Sequence, residues 1–308
     1  MRVRSRYSLG IALIVLLLFT VWVLNVSTVG RPEGCLEGCA QGEGRRDGFL
    51  RVMSLNVLHG FPEFERLTER LDLIADEILR QDADLVCLQE VPWTPRLGNG
   101  ARYLAARVGM NYLFLRANGQ RRAILFEEGS AILSRYPLKG PAFAELRPRA
   151  GFFEHRIVLH ATAVTPWGDL RVFVTHLTHG EQAVNEGQVA SLLAFVQETG
   201  GGPAVVAGDF NAGEDSPQIE ALARAWVDAY RVANPDDPGL TCCADDLTRG
   251  PDEPLEKRID YLFLVPASGW EAEVLAARRV LERPMPTRDG WLWASDHVGL
   301  LAIIRLGR

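Results

Sequence analysis

One short stretch, VVAGDFN at residues 205–211, constrains this chain more than any other feature of its sequence. Its apolar start predicts a buried strand, and Gly208 then leaves the backbone free to turn. Asp209 and Asn211 are two residues apart, so in an extended segment their side chains share one face. A carboxylate beside a neutral amide suits a hard cation bound to phosphate. The stretch therefore predicts a polar site where a strand ends.

Four further regions place a side chain of catalytic type at or beside an apolar strand. They are RVMSLNV (51–57) with Asn56, DLVCLQEV (84–91) closing on Glu90, VFVTHL (172–177) with His176, and a C-terminal pair, RIDYLF (258–263) with Asp260 and SDH (295–297) with Asp296 and His297. Because open sheets present strand ends together, we expect these side chains to meet in one ligand cleft.

This ordered set resembles the endonuclease/exonuclease/phosphatase superfamily. Its members include pancreatic-type deoxyribonuclease, abasic-site endonucleases, neutral sphingomyelinases and inositol-polyphosphate phosphatases. The resemblance covers roughly residues 48–306. It implies an α/β (α+β) fold, a four-layer sandwich of two packed mixed β-sheets flanked by helices. Periodicity and spacing alone support only an α/β domain with a polar cleft.

The resemblance also implies a chemistry, the hydrolysis of a phosphoester with a divalent metal, Mg²⁺ or Mn²⁺. Glu90 is expected to bind the metal, with Asn56 and Asp296 as further metal-side groups. His297, oriented by Asp260, is expected to take a proton from water, because histidine changes protonation near neutral pH. Asp209 is the alternative base, and the family leaves this assignment and the number of metal ions open.

Three other side chains are expected around the phosphate. The resemblance implies that His176 and Asn211 stabilise the pentavalent phosphorus, and it makes Arg156 a candidate for substrate binding. The structural alternatives are a satisfied core histidine for His176, a capped turn for Asn211 and a packing role for Arg156. His179 could be mistaken for a metal partner, and we expect it at the surface instead.

The N-terminus favours a membrane segment. Residues 1–6 carry three arginines and precede an apolar run, so residues 7–26 predict a transmembrane helix. Twenty helical residues span about 30 Å, the thickness of a hydrocarbon core. The arginines place the start of this signal anchor in the cytoplasm and the catalytic domain outside the cytoplasm. The alternative is a cleaved signal peptide and a secreted or periplasmic protein.

Residues 27–48 are rich in glycine and charge and predict a linker, which leaves 49–308 as the catalytic domain. The linker contains two cysteines that can pair with each other. Cys242 and Cys243 are adjacent in a loop near the expected cleft. They form a vicinal disulfide or pair elsewhere, and the sequence leaves both arrangements open.

The net charge of −6 argues weakly against a protein that holds nucleic acid on a large basic surface. We therefore expect a monomeric phosphodiesterase that acts on a phospholipid or a sphingomyelin-like headgroup, held near its substrate by the membrane segment. An extracytoplasmic nuclease is the alternative. A binding module without activity is a third reading, and the complete set of catalytic residues disfavours it.

Overall fold

Strands outnumber helices along the chain. The computed structural model describes residues 2–26, 28–41, 44, 48–243, 246–252, 254–288 and 290–307, without the side chains of 2–9 and 24–26. The helices are α1 (Arg2–Val26), α2 (Leu67–Gln81), α3 (Gly100–Val108), α4 (Arg121–Ile124), α5 (Gln182–Glu198), α6 (Pro217–Ala225) and α7 (Ala229–Ala233). The strands are β1 (Glu33–Cys35), β2 (Phe49–Asn56), β3 (Leu85–Thr94), β4 (Gly98–Asn99), β5 (Asn111–Gly119), β6 (Glu127–Ser134), β7 (Leu138–Glu145), β8 (Ile157–Thr165), β9 (Gly168–His176), β10 (Ala204–Asp209), β11 (Val227–Asp228), β12 (Asp260–Val265), β13 (Glu271–Val280), β14 (Met285–Thr287), β15 (Gly290–Leu292) and β16 (Gly299–Gly307).

Two large mixed sheets organise these strands. Sheet one has the order β1-β5-β6-β3-β2-β16-β13, with β4 paired to β3, and sheet two has the order β11-β12-β10-β9-β8-β7. Within the described residues, sheet one contains one parallel pair, β2 with β3, and sheet two contains one, β9 with β10. The remaining pairs in both sheets are antiparallel.

Apolar side chains from both sheets pack between them. Val52 and Cys87 of sheet one belong to one buried cluster with Leu159 and Val174 of sheet two. The outer face of sheet one packs against α2 and α3, and the outer face of sheet two packs against α5 and α6. The order of layers is therefore helix, sheet, sheet, helix, and the predicted four-layer sandwich is confirmed.

Helix α2 shows how the sequence periodicity produces this packing. Leu71, Ile74 and Ile78 recur at steps of three and four residues, and all are fully buried against sheet one. The helix ends at Asp82, a left-handed residue whose N–H donates to the carbonyl groups of Ile78 and Leu79. The observed bounds lie within three residues of the helix that periodicity predicts over 64–80.

The segment predicted as a linker is partly built into the domain. β1 pairs antiparallel with β5 at the edge of sheet one, and Gln41 N–H donates to the Gly109 carbonyl. Backbone hydrogen bonds need no hydrophobic period, so periodicity could not reveal this strand. Cys35 and Cys39 are joined by a disulfide, one of the pairings that the sequence left open. Residues 27, 42, 43 and 45–47 of the predicted linker lie outside the described residues.

In the part of the chain that the structure describes, no helix has the length and apolarity that crossing a membrane requires. Helix α1 covers the predicted anchor at 7–26, but the side chains of residues 7–9 and 24–26 lie outside the description. The anchor and the location that it implies therefore stay predictions.

Candidate active site

Three neighbouring strands of sheet two deliver polar side chains to one edge. Asp209 ends β10, where it pairs with His176 of the parallel strand β9 and with Asp260 of the antiparallel strand β12. Adjacent strands lie roughly 5 Å apart, so the three side chains are close neighbours although the chain separates them widely. The register of sheet two thus assembles the centre of the predicted cleft.

Sheet one contributes Asn56 at the end of β2 and Glu90 within β3. The strand predicted to close on Glu90 continues instead to Thr94, with an irregular register between Leu88 and Val91. Glu90 has a φ of 54°, in the left-handed region, and lines the cleft. A β-bulge redirects a side chain in this way, so the bulge rather than a strand end places this carboxylate.

Asn56 bridges carboxylates that come from the two sheets. Its Nδ2 lies 3.1 Å from Glu90 Oε1 and 3.1 Å from Asp209 Oδ2, and donates to both. Its Oδ1 accepts the N–H of Leu58 at 3.1 Å. Asn56 therefore holds the two carboxylates in place beside the expected metal site, and its role as a metal-side group stays a prediction.

His297 and Asp260 form a buried pair. His297 Nδ1 lies 2.8 Å from Asp260 Oδ2, and both residues are almost inaccessible to solvent. Ser295 fixes the loop that carries the imidazole: its hydroxyl accepts the N–H of His297 and donates to the Asn56 carbonyl at 2.7 Å. The expected pairing of His297 with Asp260 is therefore present in the structure, and Nε2 is the ring nitrogen left facing the cleft.

Asp209 lies at the centre of the cluster and is only 1% exposed. Its Oδ1 accepts the N–H of Asn211 at 2.9 Å, and its Oδ2 lies 3.5 Å from His176 Nε2 and 3.7 Å from His297 Nε2. Asn211 Nδ2 lies 3.1 Å from His176 Nε2 and donates to the Leu177 carbonyl. The structure thus brings together all five side chains that the resemblance implies for catalysis.

Two carboxyl groups of the cluster resist ionisation in this setting. Burial and the negative charge of Asp260 together raise the pKa of Asp209 to about 7. Burial also raises the pKa of Asp296, with a contribution from the nearby charge of Glu90. Crowded, desolvated carboxylates shift in this direction when no cation compensates their charge.

The two histidines shift in opposite directions. Burial works to lower the pKa of His297, but the charge and hydrogen bond of Asp260, with the other nearby carboxylates, raise this pKa well above its ordinary value. Burial lowers the pKa of His176 well below its ordinary value, and the positive charge of Arg156 adds to the effect. His297 therefore favours the imidazolium form, and His176 stays neutral.

The donor set fits a hard divalent cation such as Mg²⁺ or Mn²⁺. Glu90, Asp209 and Asp296 supply carboxylate oxygens, which these ions prefer, and the raised pKa values mark uncompensated negative charge. Donor atoms of Asp209, Asp260 and His297 also lie within 4.8 Å of one another. Glu90 and Asp296 are the residues that would hold the ion, with Asp209 beside them.

The cleft has a volume of about 360 Å³. Arg156, the candidate for substrate binding, lines it and forms an ion pair with Glu154 at 3.0 Å. His179 also borders the cleft but is exposed, as expected. Arg156 is thus placed to meet an anionic substrate.

Arg70 of α2 is a central residue that the sequence reasoning missed. It is fully buried and donates to four backbone carbonyls, those of Val57, Leu58, Glu65 and Ala294. These bonds tie the loop after Asn56 to the loop that carries the Ser-Asp-His triplet. Burial lowers its pKa to about 10, which leaves it charged at neutral pH.

The sequence carried a signal for Arg70. It falls on the same helical face as Leu67, Leu71 and Ile74, where a charged side chain is unexpected unless it is paired. A charged residue inside an apolar stripe indicates a buried polar contact. Which backbone groups it binds depends on tertiary structure alone.

His59 is a second residue that the sequence reasoning missed. Its Nε2 lies 3.6 Å from Glu90 Oε2, and its Nδ1 accepts the N–H of Phe61 at 2.9 Å. Its backbone N–H donates to the same Glu90 oxygen at 3.3 Å. His59 therefore helps to orient the Glu90 carboxylate. In the sequence, its position three residues after Asn56 could have indicated that His59 lies near the site.

A family model described as "Endonuclease/Exonuclease/phosphatase family" matches residues 53–297. The chain belongs to this family. Members of the family are phosphoester hydrolases that generally depend on a divalent metal, and the chain is a hydrolase of this superfamily. Among curated proteins, no sequence matches the chain significantly.

Solved structures share the fold of this chain at low sequence identity. A family protein from Bacteroides thetaiotaomicron is 18% identical with a TM-score of 0.68, and the match covers 84% of this chain and 98% of the other. One from Leptotrichia buccalis is 19% identical with a TM-score of 0.62, over 82% and 98%. The human Nocturnin catalytic domain, with a bound sulfate anion, is 23% identical with a TM-score of 0.64, over 84% and 93%.

Proposed function

We propose that the protein is a divalent-metal-dependent phosphodiesterase that acts on a lipid headgroup outside the cytoplasm. The observation that carries the proposal is the convergence of Glu90 and Asn56 from sheet one with Asp209 and the His297–Asp260 pair at the facing edge of sheet two. An oxygen-rich cation site beside a buried acid–base pair suits phosphoester hydrolysis.

When bound, Mg²⁺ or Mn²⁺ would polarise a phosphoryl oxygen and neutralise charge on the leaving oxygen. The chain's own residues do the rest. Asn211 and His176 lie side by side next to Asp209, where their polar atoms can stabilise negative charge on the phosphate. Arg156 attracts the phosphate into the cleft.

Two side chains can take the proton of the attacking water. A general base works best when its pKa lies near the operating pH. The pKa of Asp209 is about 7, whereas that of His297 is raised well above its ordinary value. We therefore favour Asp209 as the base and the His297 imidazolium, held by Asp260, as the group that stabilises charge on the phosphate.

Exposed aromatic side chains that lie close in sequence to residues of the cleft support a lipid substrate. Phe61 is 43% exposed and lies two residues beyond His59, which contacts Glu90. Phe152 and Phe153 are 55% and 56% exposed and stand just before Arg156. Apolar side chains on loops can enter the headgroup region of a membrane, whereas a net charge of −6 does not attract nucleic acid.

The cysteines support a location outside the cytoplasm. Cys35 pairs with Cys39 within the described residues. Disulfides persist in oxidising compartments and are rare in the cytosol. The predicted N-terminal membrane segment would give the same location and would hold the cleft near its substrate.

A release assay tests the proposal. The full-length protein is incubated with sphingomyelin vesicles, glycerophospholipid vesicles, inositol phosphates, RNA and plasmid DNA, in Mg²⁺ or in chelator, with Glu90→Gln as the control for contaminating activity. We expect Mg²⁺-dependent release of a phosphorylated headgroup from one of the two vesicle types. Hydrolysis of DNA or RNA without lipid hydrolysis would establish the nuclease alternative instead. Full activity in chelator after dialysis would contradict metal dependence.

A further inference from the structure

Two adjacent cysteines form part of one wall of the cleft. Cys242 and Cys243 line the cleft on the side of His297, and the structure joins their sulfurs in a disulfide. The donor atoms of these two cysteines and of His297 all lie within 4.8 Å of one another. Cys242 is buried, and Cys243 is partly exposed. The phosphodiesterase chemistry proposed above uses neither cysteine.

The two cysteines are fixed against the catalytic pair by backbone hydrogen bonds. Cys242 N–H donates to the Lys257 carbonyl, and Lys257 N–H donates back to the Cys242 carbonyl at 2.7 Å. Thr241 continues this framework: its hydroxyl accepts the N–H of Asp260, and its carbonyl accepts the N–H of Val298, which follows His297 in the chain. The closeness of the sulfurs to His297 is therefore built into the fold.

We propose that Cys242, Cys243 and His297 form a binding site for a soft divalent cation such as Zn²⁺ once the disulfide is reduced. Two thiolates and one imidazole are the ligand set that Zn²⁺ and Cd²⁺ prefer over Mg²⁺. His297 presents Nε2 to the ion, because its Nδ1 is engaged by Asp260. In metal-bound histidines the N–H of the other ring nitrogen ordinarily donates a hydrogen bond to a carboxylate, and Asp260 already supplies this partner.

The reaction balances with a dithiol or phosphine as reductant. The reductant gives two electrons, the bond between the two sulfurs breaks, and each sulfur takes one proton. The cation then displaces both thiol protons and the Nε2 proton of the His297 imidazolium, and all three protons pass to the buffer. It forms two bonds to sulfur and accepts the lone pair freed on Nε2. A dithiol reductant leaves as its own disulfide, and a phosphine leaves as its oxide with oxygen from water.

Binding at this site removes the His297 imidazole from phosphate chemistry. The reduced protein is therefore expected to be inhibited by Zn²⁺, whereas the oxidised protein has no thiolates to offer. This consequence rests on the proposed function, but the binding of the soft cation does not. The test accordingly reads cation binding directly.

The experiment uses full-length protein carrying Cys35→Ser and Cys39→Ser, so that the cleft pair and the buried Cys87 are its remaining cysteines. The protein is reduced with a phosphine, and Cd²⁺ is titrated while the ultraviolet thiolate-to-Cd²⁺ absorbance is recorded. We expect a saturable band at one ion per chain that is missing without reduction. Thermal melting confirms that each variant is folded.

Three further variants identify the ligands. Cys242→Ser with Cys243→Ser should abolish the band. His297→Ala should weaken Cd²⁺ binding by at least roughly 10-fold, and Asp260→Asn should weaken it by roughly 10- to 100-fold, as the loss of an orienting partner does. A band that survives the double cysteine change, or an affinity unchanged in folded His297→Ala, would overturn the proposal. A chain that binds Cd²⁺ as described but hydrolyses no phosphodiester would contradict the proposed function alone.

Discussion

The substitution Asp260→Asn tests the central pair of the site. Asp260 Oδ2 lies 2.8 Å from His297 Nδ1 in a place that is almost closed to solvent. The amide can still accept a hydrogen bond from the ring, but the negative charge that stabilises the imidazolium is lost. A hydrogen bond to a charged group contributes about 1.5–3 kcal/mol, so turnover should fall roughly 10- to 150-fold.

The assay measures initial rates on the best substrate at saturating Mg²⁺, with thermal melting as the check on folding. His297→Ala should lower turnover by at least ~10²-fold, the lower end of what a prealigned group contributes by stabilising transition-state charge. The variant that combines Asp260→Asn with His297→Ala should lose no more turnover than His297→Ala alone, because Asp260 acts through His297. His179→Ala is the matched control and should change turnover little, since this histidine is exposed.

Two results would refute this reasoning. One is near-native turnover of a folded Asp260→Asn protein. The other is an additive loss in the double variant, which would mean that Asp260 acts on something other than His297. If folded His179→Ala protein were inactive and His297→Ala protein active, the catalytic histidine would be His179 and not His297.

Three further predictions concern the metal, a buried arginine and a buried histidine. Glu90→Gln should weaken Mg²⁺ binding with little change in melting temperature, as isothermal titration calorimetry of folded protein would show; equal affinity would exclude Glu90 as a ligand. Arg70→Met should lower the free energy of unfolding by about 2–4 kcal/mol in urea titrations, because two or more buried carbonyls lose their donor. An effect below measurement error would contradict the conclusion that Arg70 ties the two loops together. Burial lowers the pKa of His160 from 6.5 to about 4, so the unfolded chain binds the extra proton between these values and stability falls as pH drops through them. His160→Phe should remove up to about 3 kcal/mol of this acid-induced fall in the free energy of unfolding. A pH dependence of the urea midpoint that is the same in the variant and in the unmodified protein would contradict this prediction.

The sequence indicated which polar side chains would meet in the cleft because each stands beside an apolar run. His176 and Asp209 close the strands β9 and β10, and Asp260 opens β12. Such local patterns are readable without a structure, and the order of the motifs identified the family. Helix α2 was equally readable, since its apolar stripe depends only on residue spacing.

Tertiary structure decided the remaining features. The bulge that aims Glu90 depends on pairing between β3 and β6, and the edge strand β1 depends on backbone bonds to β5, neither of which leaves a hydrophobic period. The orientation of the Asn56 amide and the four bonds of Arg70 are likewise set by groups distant in sequence.

The sequence by itself determined an α/β domain with polar groups beside apolar strands, because burial of apolar residues follows from local periodicity. The four-layer sandwich was expected from the family resemblance that its motifs carry. Only the folded chain decided which polar atoms face one another, how far burial shifts their pKa values, and that Cys242 and Cys243 stand beside His297. Distances and desolvation are properties of the assembled cleft, so no pattern along the chain encodes them separately.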